Sequence, residues 1–158
     1  MSEAGADQVV RQAVPADAAA IGRLLHGFQV EFDAPSPGAD WYAGRYATLL
    51  GDPATVVLLV GAPEEGVAVL RLRPSLYSDA NEGYLAELYV VPERRGRGLG
   101  QALLEATVAT ARAGGADTLN VNTSMDDLEA RALYAKLGFT DREGGPEGPL
   151  MIYLEREL

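Results

Sequence analysis

The stretch Glu87–Leu104, ELYVVPERRGRGLGQALL, combines a strand pattern, a basic glycine-rich loop and the start of a helix. The apolar run before Pro92 is typical of a buried strand that the proline closes. Apolar residues after Gly98 recur at helical spacing, which predicts a helix from about that residue. Because the first N–H groups of a helix lack internal partners and lie at the positive end of its dipole, this junction predicts an anion site, best suited to phosphate.

The loop itself adds two features that favour an anion. Glycines at 96, 98 and 100 let a ligand approach the backbone without meeting side chains. Arg94, Arg95 and Arg97 can add charge-assisted contacts at the rim of the site.

Other glycine-rich motifs fit the loop less well. A dinucleotide fingerprint needs G-x-G-x-x-G after an early strand, whereas this loop lies late in the chain with a different spacing. A P-loop needs Lys and then Ser or Thr after the last glycine, but Gln101 and Ala102 follow Gly100. An RNA-binding RGRG segment is expected in a disordered basic context, which this acidic chain lacks. Glycines that serve only a tight turn remain an alternative.

The amino-acid composition limits the classes of protein to which the chain can belong. The chain has 158 residues, 47% of them hydrophobic, which suits one domain with a core. The absence of cysteine excludes disulfides, thiol catalysis and cysteine metal sites, and with a single histidine, His26, we expect no metal. We expect no signal peptide and no membrane span, and therefore a cytoplasmic protein.

The net charge of the chain limits the kinds of partner that it is expected to bind. The net charge of −10 argues against nucleic acid and anionic membranes. It favours a cationic small molecule or peptide, although acidity that serves only solubility is an open alternative.

Hydrophobic periodicity predicts mixed helices and strands in one α/β (α+β) sheet with helices on both faces. Predicted helices cover residues 15–32, 40–50, 98–116 and 126–139. Predicted strands cover residues 55–62, 67–74, 84–91, 117–124, 139–143 and 149–158.

Two motifs together resemble one family. Arg95–Gly100 reads R-x-x-G-x-G, and residues 130–139 read ARALYAKLGF, about 35 residues after the first motif and with one predicted strand between them. This arrangement resembles the acetyl-coenzyme A signatures of the GCN5-related N-acetyltransferase (GNAT) superfamily. The resemblance implies a single domain over residues 1–158. It also implies a mixed, mostly antiparallel sheet of about six to seven strands, splayed into a V, with about four flanking helices.

The same resemblance assigns the contacts with the cosubstrate, acetyl-CoA. Backbone N–H groups of the glycine-rich loop are expected to hold the pyrophosphate, and the preceding strand is expected to pair with the pantetheine arm beside a bulge. Asn122 and Asp127 are further candidates, and the family more often has asparagine at the second position. The implied contact residues are Leu88, Tyr89, Val90, Arg95, Gly96, Arg97, Gly98, Leu99, Gly100, Gln101, Asn122 and Asp127.

Acetyl transfer to an amine also needs proton transfer, since alkyl amines are mostly protonated near neutral pH. Glu87 is the predicted base because it is an acidic residue in an apolar strand, where burial would raise its pKa. Glu82 is the alternative base, and Glu87 could instead face solvent. Tyr134 is the predicted proton donor to the leaving thiolate, a role that follows from the resemblance; taken alone, it reads as a core aromatic.

The sequence therefore predicts an acetyl-CoA-dependent N-acetyltransferase. Its expected acceptor is a primary amine of a small molecule, such as a polyamine, amino acid or aminoglycoside, or of a peptide. Direct attack in a ternary complex is expected, since no cysteine can carry the acetyl group. A non-catalytic acyl-CoA-binding sensor on the same fold is the alternative. The apolar run PLMIYLEREL also suggests a possible homodimer.

Overall fold

The structure is a computed structural model and describes residues 8–158. The described chain divides into two compact units, one ending at Val121 and the other comprising Asn122–Leu158. Each unit is described by itself below.

The first unit is built on a five-stranded sheet in the order β1-β2-β3-β4-β5. Neighbours from β1 to β4 pair antiparallel, and β4 pairs with β5 in parallel through the crossover helix α3. The strands are β1 (Val10–Gln12), β2 (Thr55–Val60), β3 (Gly66–Pro74), β4 (Asn81–Val90) and β5 (Ala116–Val121). The helices of this unit are α1 (Ala18–Glu31), α2 (Ala39–Leu49) and α3 (Leu99–Ala113).

One face of the sheet is covered by α1 and α2. Apolar side chains of both helices pack against alternate residues of β2, β3 and β4, as the period of two predicts. The helices themselves pack so closely that a Cβ on Gly22 would lie 2.3 Å from the carbonyl oxygen of Ala39. The buried cluster on this face includes Ile21, Leu24, Leu25, Tyr46, Val57, Leu59, Val67, Val69 and Tyr89.

The opposite face is covered by α3. Leu103 and Leu104 of this helix are fully buried, with 0% exposure. Gly83 of β4 lies where a Cβ would meet Leu70 at 3.2 Å and Ala111 of α3 at 3.6 Å. The crossover helix thus packs back onto the two strands next to β5.

The second unit contains α4 (Leu128–Lys136). Asp127 is its N-cap, and its Oδ1 accepts a hydrogen bond from the backbone N–H of Ala130 at 3.1 Å. Across the described residues, no helix is long and apolar enough to cross a membrane.

Three sequence predictions need correction. The strands predicted over residues 139–143 and 149–158 were wrong, since this segment forms only an isolated bridge between Arg142 and Leu150 within the described chain. The bridge closes a turn that contains Gly144, Gly145 and Gly148. Pro149, at the end of this turn, has no N–H to donate to a β-ladder. The described sheet has five strands rather than six or seven, and one of them, β1, was not predicted.

Candidate active site

The decisive feature of the site is a bulge in β4. Val69 of β3 pairs with Glu87, whereas the next residue, Leu70, pairs with Leu85, so Ala86 is an extra residue on β4. Beyond the bulge, β4 leaves its other neighbour, because Leu85 with Val121 is the last pair between β4 and β5. The splay that the sequence predicted beside this strand is therefore present.

Past the bulge, one edge of β4 is open. Residues 87–90 pair with β3, yet no other strand of the described chain pairs with their second edge. This open segment contains the predicted contact residues Leu88, Tyr89 and Val90. An extended ligand with amide groups, such as a pantetheine arm, is the kind of molecule that fits an open strand edge.

The glycine-rich loop follows directly. A short 3-10 turn over Pro92–Arg94 leads to Gly96 and Gly98, which have φ values of +75° and +82°. Side chains are strained in that region of φ, which accounts for glycine at both positions. A Cβ on Gly96 would meet no atom within 4 Å, so the space above Gly96 is open to a ligand, whereas a Cβ on Gly98 would lie 3.3 Å from Gln8 Nε2.

The loop presents backbone donors. Helix α3 begins at Leu99 with Gly98 as N-cap and no side-chain cap, and its first internal bond runs from Ala102 N–H to Gly98 O at 2.9 Å. Within residues 8–158, the N–H groups of Gly96–Gly100 donate no backbone hydrogen bond. The N–H of Arg95, which the family resemblance assigns to the pyrophosphate, donates to Pro92 O at 3.3 Å.

The three loop arginines have different surroundings. Arg94 forms an ion pair with Glu65 at 2.7 Å. Arg95 donates two hydrogen bonds to the Glu31 carboxylate, at 2.6 and 2.7 Å, and a third to Val90 O at 3.0 Å. Arg97 makes no ion pair in the described chain, so its guanidinium is the one best suited to the rim of an anion site.

The Arg95 pair connects the end of α1 with the loop. The Arg95 guanidinium lies 5.7 Å from the centroid of the Tyr89 ring. That ring stacks on the ring of Phe28, with 5.1 Å between the two centroids. The hydrogen bonds from Arg95 lower the pKa of Glu31, while burial and the nearby Glu31 charge raise the pKa of Tyr89. No local pattern in the sequence indicates this pair, because its partners are 64 residues apart.

Glu87 has the surroundings expected of a base. It is half-buried, and desolvation by burial raises its pKa to about 6. A carboxylate with that pKa is mostly ionised near neutral pH yet is a better proton acceptor than an ordinary glutamate. The alternative base, Glu82, forms a salt bridge with Arg73 instead.

Gln101 lies in the first turn of α3, and the last three predicted residues lie in the second unit. Tyr134 is 8% exposed on α4, with its ring 5.6 Å from that of Phe139. Asn122 is exposed at the start of the unit, and Asp127 caps α4. In the described residues, no group of three or more His, Cys, Asp or Glu side chains could hold a metal ion.

Comparison with known proteins gives a consistent result. The model of the acetyltransferase (GNAT) family matches residues 23–139. The chain is 32% identical to aminoglycoside N(6')-acetyltransferase type 1 of Stenotrophomonas maltophilia, covering 85% of this chain and 87% of that protein. It is 29% identical to the uncharacterized N-acetyltransferase YhfO of Bacillus subtilis, covering 85% and 91%.

Solved structures show the same fold. An acetyltransferase crystal structure from Arthrobacter sp. FB24 has a TM-score of 0.87 and 45% identity, covering 95% of this chain and 96% of that one. The mixed sheet with flanking helices is therefore the acyltransferase fold of these proteins.

Proposed function

The chain belongs to the acetyltransferase (GNAT) family and is an N-acetyltransferase, and we propose that it transfers the acetyl group of acetyl-CoA to a primary amine by direct attack in a ternary complex. The observation that carries this proposal is the open segment of β4, residues 87–90, which leads into the donor-rich loop at Gly96–Gly100. A strand edge, a set of free amides and a carboxylate with a raised pKa thus lie in one continuous stretch of chain.

The described groups fit this cosubstrate. Acetyl-CoA supplies the acetyl group as a thioester and carries a diphosphate. The N–H groups of Gly96–Gly100 would hold the diphosphate, with Arg97 at the rim. The open edge at residues 88–90 would hold the amide-containing arm, and one N–H of that edge would polarise the thioester carbonyl.

The proton path starts at Glu87. Its carboxylate would take a proton from the acceptor ammonium, directly or through water, so that the neutral nitrogen forms the new C–N bond. The nitrogen loses its second proton to solvent as the C–S bond breaks, and the phenol of Tyr134 would protonate the departing thiolate and regain a proton from solvent. The role of Tyr134, the two contacts at Asn122 and Asp127, and the joining of both units in one catalytic domain are supported by the family resemblance.

Release of coenzyme A thiol tests the proposal. The purified chain, given acetyl-CoA and a panel of amines, should release thiol with at least one of them. Tyr134→Phe should lower kcat by about a hundredfold or more while leaving the Kd for coenzyme A nearly unchanged. An unchanged kcat would show that another group protonates the thiolate, and binding without thiol release from any amine would contradict the amine acceptor.

A further inference from the structure

Two arginines on the α1/α2 side of the sheet are unpaired. Arg71 on β3 and Arg45 on α2 are exposed, and neither guanidinium makes an ion pair or hydrogen bond with another described residue. By contrast, Arg73, two residues further along β3, forms a salt bridge with Glu82. The charges of Arg71 and Arg45 are therefore not neutralised by a neighbouring carboxylate in the described chain.

The register of the sheet places Arg71 on the same face as Glu87. Glu87 lies opposite Val69, and Arg71 follows Val69 by two residues on an unbulged strand, so the side chains of all three point to one face. That face is the one covered by α1 and α2, because Val69 belongs to the buried cluster with Tyr46. Positions two apart on a strand are separated by about 7 Å.

Tyr46 of α2 lies near Glu87, Arg71 and Arg45, because the charge of each shifts the pKa of its phenol. Burial, and after it the negative charge of Glu87, raises the pKa of its phenol to about 12. The positive charges of Arg71 and Arg45 act in the opposite direction on the same phenol. One carboxylate and two guanidinium groups thus lie near a single buried tyrosine.

This arrangement has consequences for the acceptor. Two free guanidinium groups on the side of the sheet that Glu87 faces disfavour an acceptor that carries only positive charges. They favour one with an anionic group next to its amine, and the planar fork of arginine matches a carboxylate with two parallel hydrogen bonds. The net charge of −10, from which a cationic acceptor was expected, does not describe this local surface.

We propose that the acceptor is an amine that also carries a carboxylate, of the amino-acid class, with Arg71 binding the carboxylate while the amine lies at Glu87. Arg45 adds a second positive charge from α2. This inference rests on the proposed function, since it specifies the acceptor of the same site. It makes Arg71 a specificity-determining residue, with no part in the proton transfers.

Matched pairs of amines test the proposal. The full chain is given acetyl-CoA and an amino acid or its carboxamide, using alanine, 4-aminobutyrate and 6-aminohexanoate, with spermidine and kanamycin as purely cationic amines. Thiol release gives kcat/KM, which is corrected for the fraction of unprotonated amine. For at least one pair, we expect the carboxylate to be preferred by about tenfold or more, the usual contribution of a charge-assisted hydrogen bond.

Three variants test whether the preference for a carboxylate depends on Arg71 or on positive charge in general. Arg71→Gln should reduce that preference to near parity, chiefly by lowering kcat/KM for the carboxylate. Arg71→Lys, which keeps the charge without the fork, should retain part of it. Arg112→Gln, which removes one charge from the last turn of α3 on the opposite face, should retain all of it.

The possible outcomes distinguish failure of this inference from failure of the proposed function. Equal or better turnover of carboxamides, spermidine or kanamycin, or a preference that persists in Arg71→Gln, would overturn the inference while leaving the proposed function intact. Absence of thiol release from every amine would overturn the proposed function, and the inference with it.

Discussion

The two halves of β4 belong to one strand but differ in their neighbours. Asn81–Leu85 is paired on both edges, with β3 on one side and β5 on the other. Residues 87–90 pair with β3 alone in the described chain. The single extra residue Ala86 separates a half that is paired on both edges from a half whose second edge pairs with no strand of the described chain.

The difference also affects the acidic residue in each half. Glu82, in the paired half, is neutralised by Arg73. Glu87, just past the bulge, is desolvated without such a partner, which raises its pKa to about 6. The bulge thus leaves one half of the strand with an unpaired edge, and burial in that half makes Glu87 a more basic carboxylate than an ordinary glutamate.

The largest effect is expected from exchanging these two carboxylates for amides. Glu87→Gln should lower kcat by about 10²–10⁴-fold, because the amide cannot accept the proton of the amine. Glu82→Gln should lower it by no more than a few-fold. The measurement is thiol release at pH 8 with saturating acetyl-CoA, and a greater loss in Glu82→Gln would reverse the assignment of the base.

A second effect concerns stability against pH. The pKa of Glu87 is raised from 4.5 to about 6 in the folded chain, so its favourable contribution to the free energy of unfolding is fully present below pH 4.5 and lost as pH rises through 6. Glu87→Gln has no such loss. Relative to the wild type, its free energy of unfolding should therefore be higher by up to about 2 kcal/mol at pH 8 and similar at pH 4.5. Urea unfolding at both pH values measures this, and equal differences at the two would contradict the buried charge.

The loop beyond the open half gives a third test. Arg97→Gln should weaken coenzyme A binding by about tenfold, since one charge-assisted contact with phosphate is lost. Arg94→Gln, whose guanidinium is paired with Glu65, is the matched control and should weaken binding much less. Calorimetric titration with coenzyme A gives both Kd values, and equal losses would show that the ion pair does not distinguish the two arginines.

The smallest effect is expected at the contact between α1 and the loop. Glu31→Gln removes an ion pair with Arg95 that is partly exposed to solvent. It should lower the free energy of unfolding by about 0.5–1 kcal/mol, with a few-fold rise in the KM for acetyl-CoA. The double variant Glu31→Arg with Arg95→Glu should lose less stability and less affinity for acetyl-CoA than the sum of its two single variants. Losses that simply add would argue against a direct interaction.

The sequence predicted the elements that depend on local chemistry. The strand that contains Glu87, the glycine-rich loop and helix α3 follow from apolar periodicity and from glycines that permit a positive φ, and they occur close to the predicted bounds. The bulge and splay were expected only through the family resemblance, because an extra residue becomes visible only when the register with β3 is known.

Features that depend on distant partners were missed. The apolar pattern of residues 149–158 predicts a strand, but strand pairing depends on a partner that local pattern does not specify, and in the described chain this segment makes only the bridge between Arg142 and Leu150. Arg71 reads as an ordinary solvent-facing residue of an alternating strand, and its relation to Glu87 emerges only from pairing. Glu31 similarly gains its partner Arg95 from tertiary packing.

Residue-resolved amide hydrogen exchange, measured by NMR with and without coenzyme A, tests the central claim most directly. Binding should slow exchange at Gly96–Gly100 and at one or more amides of residues 87–90, while Asn81–Leu85 of the same strand remain unchanged. Protection that is absent from the loop and from the open half of β4, or that is equal in both halves of the strand, would contradict the account.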